Sequence, residues 1–487
     1  MYQKYIIWIL MMVSLSGCKQ FLDQPPHDEV LTEDVFTSFS NLESAMIGAY
    51  STMQDVEYYG RNFVIMPSVS GDNIYNNLRS NRFVESATYS RTAEDANARD
   101  LWISAYQVIN SCNYIIEAVG SVEASQEEKD RLKGEALAVR SLVFFDLARM
   151  YSQPYTYAYG PQGNADDKLG IPIVTQDSLT VSVDDVKFPY RSSTETVYDE
   201  IIDDLEMAVT LLPDVYPSKN RATLFATQGL LSRVYLYRNI DDADLNNVVK
   251  YATAVIDAGY SSLYPRDAFV SSWSTNGERE AVWTLEFIAD QDRGADNLGS
   301  MFLPAVLGGY GDLRPTRFLR DSIDKQDIRS QLVIPELDNE DTIGYYINKY
   351  PGQSGVPGLT SPRIIRLAEI YLNRAEAYAR LGMYDLAKQD LTVIIQRAYG
   401  DSYTPTFPPD DELVDFVLAE RRIELYCEGH RSFDIFRTGG VMVRYDWQSE
   451  NMQDIDFIIK TGAWNTILGI PQREIDVNPN LKQNPRY

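Results

Sequence analysis

In the segment RIIRLAEIYLNRAEAYARLG (Arg363–Gly382), Ala368, Tyr371, Ala375 and Tyr378 recur at spacings of three and four, which lays one stripe along a helix. The alanines in that stripe are small enough to admit a neighbouring helix closely. Gly382 can end the helix, and MYDLAKQDLTVIIQRA then begins a second amphipathic one. Similar fragments stand elsewhere. GEALAVRSLVFFDLARMY reads as a first helix, and DDLEMAVTLLP, with Leu205, Ala208 and Pro213, as a second. ATQGLLSRVYLYR and NNVVKYATAVIDAGY make a further pair joined by an acidic turn. Most of the chain is therefore expected to be helix.

Across the Arg363 pair the spacing resembles a tetratricopeptide repeat. Ala375-x-x-Tyr378 fills the small-x-x-Tyr slot, and Ala387-x-x-x-Leu391 the later slot. Irregular spacing makes the repeats degenerate and interrupted. The expected fold is mainly α: a degenerate tetratricopeptide-repeat scaffold with long inserted loops and a few short strands. Repeat-type helices are expected within about 126–258 and 363–436, with insertions at about 60–97 and 261–362. AVWTLEF (Ala281–Phe287) is the clear strand candidate. In the tail, 465–487, Pro471, Pro479 and Pro485 cannot continue a helix, so an extended course over the scaffold is expected. An ordinary helical protein without repeats is the alternative.

The chain has 70 acidic and 44 basic residues and a formal charge of −26. Such a surface repels phosphate backbones, which excludes nucleic acid as a natural partner. With His27 and His430 as its two histidines, it offers no histidine-rich zinc site and no Cys-His nucleophile. No cofactor is expected. A structural Ca²⁺ held by oxygen ligands stays open among so many acids, although no EF-hand-like spacing occurs. Cys112 and Cys427 are expected as buried free thiols, with pairing in an oxidising compartment as the alternative.

The N-terminus reads as a leader. Lys4 is followed by the uncharged run YIIWILMMV, too short to span a bilayer and of the size of a secretory core. Leu15-Ser16-Gly17-Cys18 then resembles a bacterial lipoprotein box. The resemblance implies a signal peptide over 1–17, acyl chains on Cys18 and a tether over 18–30. Each buried CH₂ of such chains contributes roughly 0.8 kcal/mol to membrane attachment. Removing Lys4 with the leader takes the formal charge from −26 to −27, which leaves the acyl group as the membrane contact.

Taken in order, CKQFLDQPP, LWISAYQVINSCNYIIEAV, GEALAVRSLVFFDLARMYSQPY, GIPIVT, RLAEIYLNRAEAYARLG, ERRIELYCEGHRSFDIFRTG and GIPQREIDVNPNLKQNPRY resemble the SusD/RagB-like outer-membrane nutrient-binding lipoproteins of Bacteroidetes. The resemblance runs nearly end to end. It implies one SusD-like domain over 18–487, lipid-anchored on the outer membrane and facing the cell exterior. It further implies a non-enzymatic lid of a SusC/RagA-like TonB-dependent transporter barrel that captures oligosaccharide. In the RagB branch the ligand is peptide.

Sugar recognition uses flat aromatic faces with a few amide, Arg or Asp groups. Two segments outside the helical pattern supply that mixture. SGDNIYNNLRSNRF offers Asp72, Asn73, Tyr75, Asn77, Arg79 and Arg82, and DQDRGADNLGSMFLPAVLGGYGDLR offers Asp292, Arg293, Asn297 and Tyr310. Trp273 is a further candidate platform, while Trp102 and Trp283 read as core. Tyr151, Tyr155, Tyr157 and Tyr159 form an aromatic cluster read as packing. Glu420, Arg421, Glu424, Glu428, His430 and Arg431 crowd a helix end, where arginines can fork onto carboxylates. Glu424 and Glu428, four apart, would repel on an isolated helix, so partners elsewhere are implied. They are read as a structural ion network. A glycoside hydrolase and a tetratricopeptide adaptor for proteins are the rival functions. No nucleophile elbow, HExxH motif or phosphate loop appears.

Overall fold

The computed structural model describes residues 37–178, 187–214, 218–338, 341–445 and 455–487. Cys18, the leader and the tether expected over 18–30 lie outside these residues. The principal helices are α1 Phe39–Met53, α2 Asn62–Val69, α3 Ala96–Ala118, α4 Gln126–Tyr151, α5 Thr194–Leu211, α6 Leu224–Arg238, α7 Asp242–Asp257, α8 Leu367–Arg380, α9 Tyr384–Tyr399, α10 Leu413–Glu424 and α11 Arg431–Arg437.

Local chemistry sets their ends. Ser125 and Glu128 form a capping box at α4, Ser193 accepts from Thr196 N at α5, and Thr223 accepts from Ala226 N at α6. Asp241 accepts from both Ala243 N and Asp244 N at α7. Each such cap stabilises a helix by about 1 kcal/mol. Asn239, at φ +41°, closes α6, and Gly382, at φ +74°, turns the chain from α8 into α9.

Successive helices pack on one another: α3 on α1 and α4, α4 on α5, α5 on α6, α6 on α7, α7 on α8, and α8 on both α9 and α10. This serial stacking of neighbours is what a repeat scaffold requires. Gly134 shows how close the approach is, since a Cβ there would meet Leu211 and Leu212 at 3.0 Å. In α8 the stripe is carried by Ala368, Leu372, Ala375 and Ala379, which are buried with Ala387, Leu391 and Val417, while Tyr371 and Tyr378 sit at its rim. Trp102, Trp283 and Tyr151 are buried in the main core, as is Tyr155, which packs on Tyr198 and Tyr159. Cys112 and Cys427 are free and buried, and burial pushes the Cys112 thiol up to about 12.

Short antiparallel strand pairs fasten the inserted segments to this scaffold. They are β1 Ile74–Asn76 with β3 Leu313–Pro315, β2 Ala281–Thr284 with β6 Arg363–Arg366, β4 Val333–Asp338 with β5 Asp341–Ile347, and β7 Val441–Tyr445 with β8 Ile455–Lys460. The strand expected over Ala281–Phe287 is shorter than its apolar run. β1, β3 and β6 escape periodicity because three or four residues are too few to show it, and Pro335 within β4 reads against a strand. The tail also departs from a wholly extended course. Pro471 caps a short helix, Gln472–Val477, where its missing N–H costs nothing. Asn484 then anchors the remainder, donating to Tyr151 O at 2.8 Å and Leu468 O at 2.6 Å.

Candidate functional site

The two inserted segments singled out by composition meet on one surface. Tyr75 stands opposite Arg314 and Asn76 opposite Leu313 in the β1–β3 pair. Past the strand end, Asn77 N donates to Asp312 O at 2.9 Å and Asn77 Nδ2 to Gly311 O at 2.8 Å. Arg82 completes the junction. Its guanidinium lies 3.3 Å from the centroid of the Tyr310 ring, and its Nη1 donates to Asp312 Oδ2 at 3.1 Å. Ser80 Oγ donates to the same carboxylate oxygen at 2.6 Å. Segments 230 residues apart in sequence thus form one floor.

That floor is built under conformational constraint. Leu78 and Phe83 both lie in the left-handed region, at φ +57° and +55°. For residues with a Cβ this conformation costs roughly 1–2 kcal/mol each, and it concentrates where a loop is held for function. Leu78 is 57% exposed at the tip and Val306 is 86% exposed on the facing loop. Tyr75, Asn77, Arg82 and Tyr310 are part-exposed and Arg79 is exposed. Burial raises the Tyr75 phenol, and nearby Arg314 and Arg79 oppose the rise, so the hydroxyl stays a neutral donor.

Other candidates hold the loops rather than face solvent. Asp72 is buried and accepts from Arg431 Nε and Nη2 at 2.6 and 2.7 Å. Burial alone would raise its carboxyl, but Arg431 and Arg422 outweigh burial and hold it below the usual carboxylate value. Asn73 is buried and accepts from Arg422 Nε at 2.6 Å. Asn297 is buried, donating to Asp292 Oδ1 at 2.6 Å and accepting from Arg293 N at 3.0 Å. Asp292 and Arg293 remain exposed on this turn. Trp273 is corrected outright. It is 4% exposed, with Arg363 over its ring at 4.0 Å and Tyr350 edge-on at 5.8 Å, so it offers no platform. Asp312 and Arg314 escaped sequence reading, because strand pairing, not composition, brings them to the site.

Behind this surface lies a buried ion network around α10. Arg366 donates to Glu280 at 2.7 Å, to Glu424 Oε1 at 2.6 Å and to both oxygens of Glu428, at 2.7 and 2.8 Å. Arg329 joins Asp327, Glu420 and Glu424; Arg397 reaches Glu424; Lys349 reaches Glu428. Burial would raise Glu428, yet Arg366 and Lys349 bring it down to about 2. Arg421 pairs with Asp434, and buried His430 is held neutral, first by desolvation and then by Arg233 and Arg421. Arg431 leaves the network for Asp72, which ties α11 to the candidate loop. Among the described residues no group of three or more His, Cys, Asp or Glu side chains is arranged to hold a metal ion.

Sequence and structure comparisons bear on this architecture. Residues 20–236 match the family described as "Starch-binding associating with outer membrane", and residues 333–487 match the SusD family. The chain belongs to the SusD/RagB-like family. This SusD-like chain is 22% identical to SusD-like protein P25 of Formosa agariphila, over 99% of the chain and 98% of that protein. It superposes on a SusD superfamily protein of Bacteroides thetaiotaomicron with a TM-score of 0.81 and 27% identity, covering 92% and 100% of the two chains. A Bacteroides vulgatus SusD superfamily protein gives 0.80 and 27%, with coverage of 93% and 99%. A laminarin-binding SusD-like protein shares the fold, at TM-score 0.71 and 21% identity over 93% and 100%.

Proposed function

We propose that this SusD-like chain is a cell-surface receptor that captures glycan on the floor made by residues 75–82 and 305–314, and that it serves as the lid of a TonB-dependent outer-membrane transporter. The observation that carries the reading is the Arg82–Tyr310 stack at the meeting of the two inserted loops. A part-exposed guanidinium backed by a ring offers a sugar a flat face, and its Nε and Nη2 donors have no protein partner among the described residues. Arg79, Asn77 and Tyr75 supply hydroxyl partners around it. The family's description as starch-binding and outer-membrane-associated supports a glycan ligand, as does the laminarin-binding neighbour.

Membrane attachment is assigned to acylated Cys18. No helix of the described residues is long and apolar enough to cross a bilayer. Release of the captured glycan to a barrel partner needs no chemistry from this chain, so binding without turnover is expected.

Affinity electrophoresis through starch, laminarin, xylan and pectin gels is expected to retard the protein in at least one, with no release of reducing ends. Unretarded migration through all of them, together with capture of a peptide library, would move the assignment to peptide uptake. Release of reducing ends would make the chain a hydrolase and reject the receptor reading.

A further inference from the structure

Away from that floor, a cleft of about 430 Å³ opens between the segment following α4 and the end of α11, with Tyr157 and Gln162 on one side and Arg380, Arg437, Thr438 and Lys460 on the other. Among the described residues no Asp or Glu lines it, in a chain where acids outnumber bases 70 to 44. The charge beneath it is positive. Arg437 donates to Glu376 at 2.8 and 2.6 Å and to Asp434 at 2.8 Å. Arg380 shares Glu376 at 3.0 and 2.8 Å, and Arg421 shares Asp434 at 2.8 Å. Glu369, near Arg421, is held by Arg233. Arg233, Arg380, Arg421 and Arg437 therefore stand against Glu369, Glu376 and Asp434, a surplus of one cation with His430 neutral. Exposed Lys460 adds another at the rim, with no ion-pair partner among the described residues.

The flat wall is fixed as firmly as the charge. Gly462, at φ +81°, leaves no room for a Cβ, because the Tyr157 ring lies on its backbone. On the far side of that contact a second cleft, of about 500 Å³, carries Trp464, Asn164, Asn465 and Arg486, together with Asp167 and with Asp166, which Lys482 pairs at 2.6 Å. Across the two clefts, aromatic faces, amides and an unneutralised cation match the groups a sugar chain with an acidic unit presents, and Asp166 and Asp167 keep that unit to the first cleft. Beyond Arg380 the surface turns acidic at Asp241, Asp242, Asp410 and Asp411, which confines an anion to the Lys460 side.

We infer that these paired clefts are a second glycan site, seating an acidic sugar unit by its carboxylate or sulfate against Lys460 and Arg380 while neighbouring units run toward Trp464. The inference rests on the glycan reading above and adds a location and a ligand class to it. The test is calorimetric titration of the whole chain with oligogalacturonate, oligoalginate and chondroitin sulfate oligosaccharides, alongside malto-, laminari- and xylo-oligosaccharides. At least one acidic member is expected to bind, with an affinity unmoved by Tyr310→Ala and lowered at least tenfold by Lys460→Glu, while Lys460→Arg retains it. The uronate and sulfate arms tell the two anion sources apart. If no acidic member binds, or if Lys460→Glu leaves every affinity unchanged, the second site is rejected. Neutral glycans still lost on Tyr310→Ala would then leave the receptor reading standing. Absence of binding by every glycan would reject both.

Discussion

Replacing Arg366 with methionine is expected to destabilise the fold by about 3–5 kcal/mol, the range found when one partner of a buried charge cluster is removed. Methionine preserves much of the stem's volume, so the loss is electrostatic. Arg366 is 1% exposed and reaches Glu280, Glu424 and Glu428 at 2.6–2.8 Å, which no water can replace. Removing it leaves Glu424 with Arg329 and Arg397, but leaves Glu428 with Lys349 alone and Glu280 with Arg397 at 3.7 Å. Urea denaturation at neutral pH measures the loss.

The same experiment carries a pH signature. Glu428 titrates near 2 in the fold, against an ordinary 4.5. A depressed folded-state value contributes stability that is complete above the unfolded value and lost as pH falls through the folded one. The gap between wild type and Arg366→Met is therefore expected to hold above about pH 5 and to narrow steadily toward pH 2. A gap independent of pH would mean that Arg366 acts by packing alone. The exposed pair Lys388–Asp410 is the contrast: Lys388→Ala should leave the unfolding midpoint where it is.

How much of this was legible in the sequence depends on whether the physics is local. Ala368 and Ala375 announce a helix–helix contact because a period of three and four is written within twenty residues. Glu424 and Glu428 announced a missing partner, since four-apart acids repel, but not its identity. Their cations Arg329, Lys349, Arg366 and Arg397 come from a 3₁₀ turn, a loop, a strand and another helix. Asp72 and Asn73 looked solvated in a polar, Asx-rich loop. Arg431 and Arg422, 359 and 349 residues onward, turn them inward. Trp273 misled in the same way, because the polar SSWSTNGERE around it says nothing of Tyr350 and Arg363 closing over the ring. Tyr310 and Arg82 were each visible as sugar-binding types. Their contact was not, because a three-residue strand pair with no readable period creates it.

Replacing Tyr310 with alanine is expected to weaken glycan binding at the loop floor by about 30-fold or more, equivalent to the roughly 2 kcal/mol of a central aromatic anchor. The ring does two things. It backs the Arg82 guanidinium at 3.3 Å, and it anchors the loop end from which Asp312 accepts from Arg82 and Ser80. Without the ring, the guanidinium loses its flat support and its remaining donors lose their orientation. Tyr310 is part-exposed and takes no part in the α10 ion network, so the unfolding transition should move little. Tyr310→Phe should keep most of the affinity, because the face is retained. An affinity equal to wild type in Tyr310→Ala would remove the loop floor from recognition.

Hydrogen–deuterium exchange with and without the tightest-binding neutral glycan tests the capture surface most directly. Slowed exchange is expected in peptides spanning 75–82 and 305–314, with the stacked helices unaltered. Protection confined to the helices, with both loops exchanging at the same rate bound and free, would contradict the account.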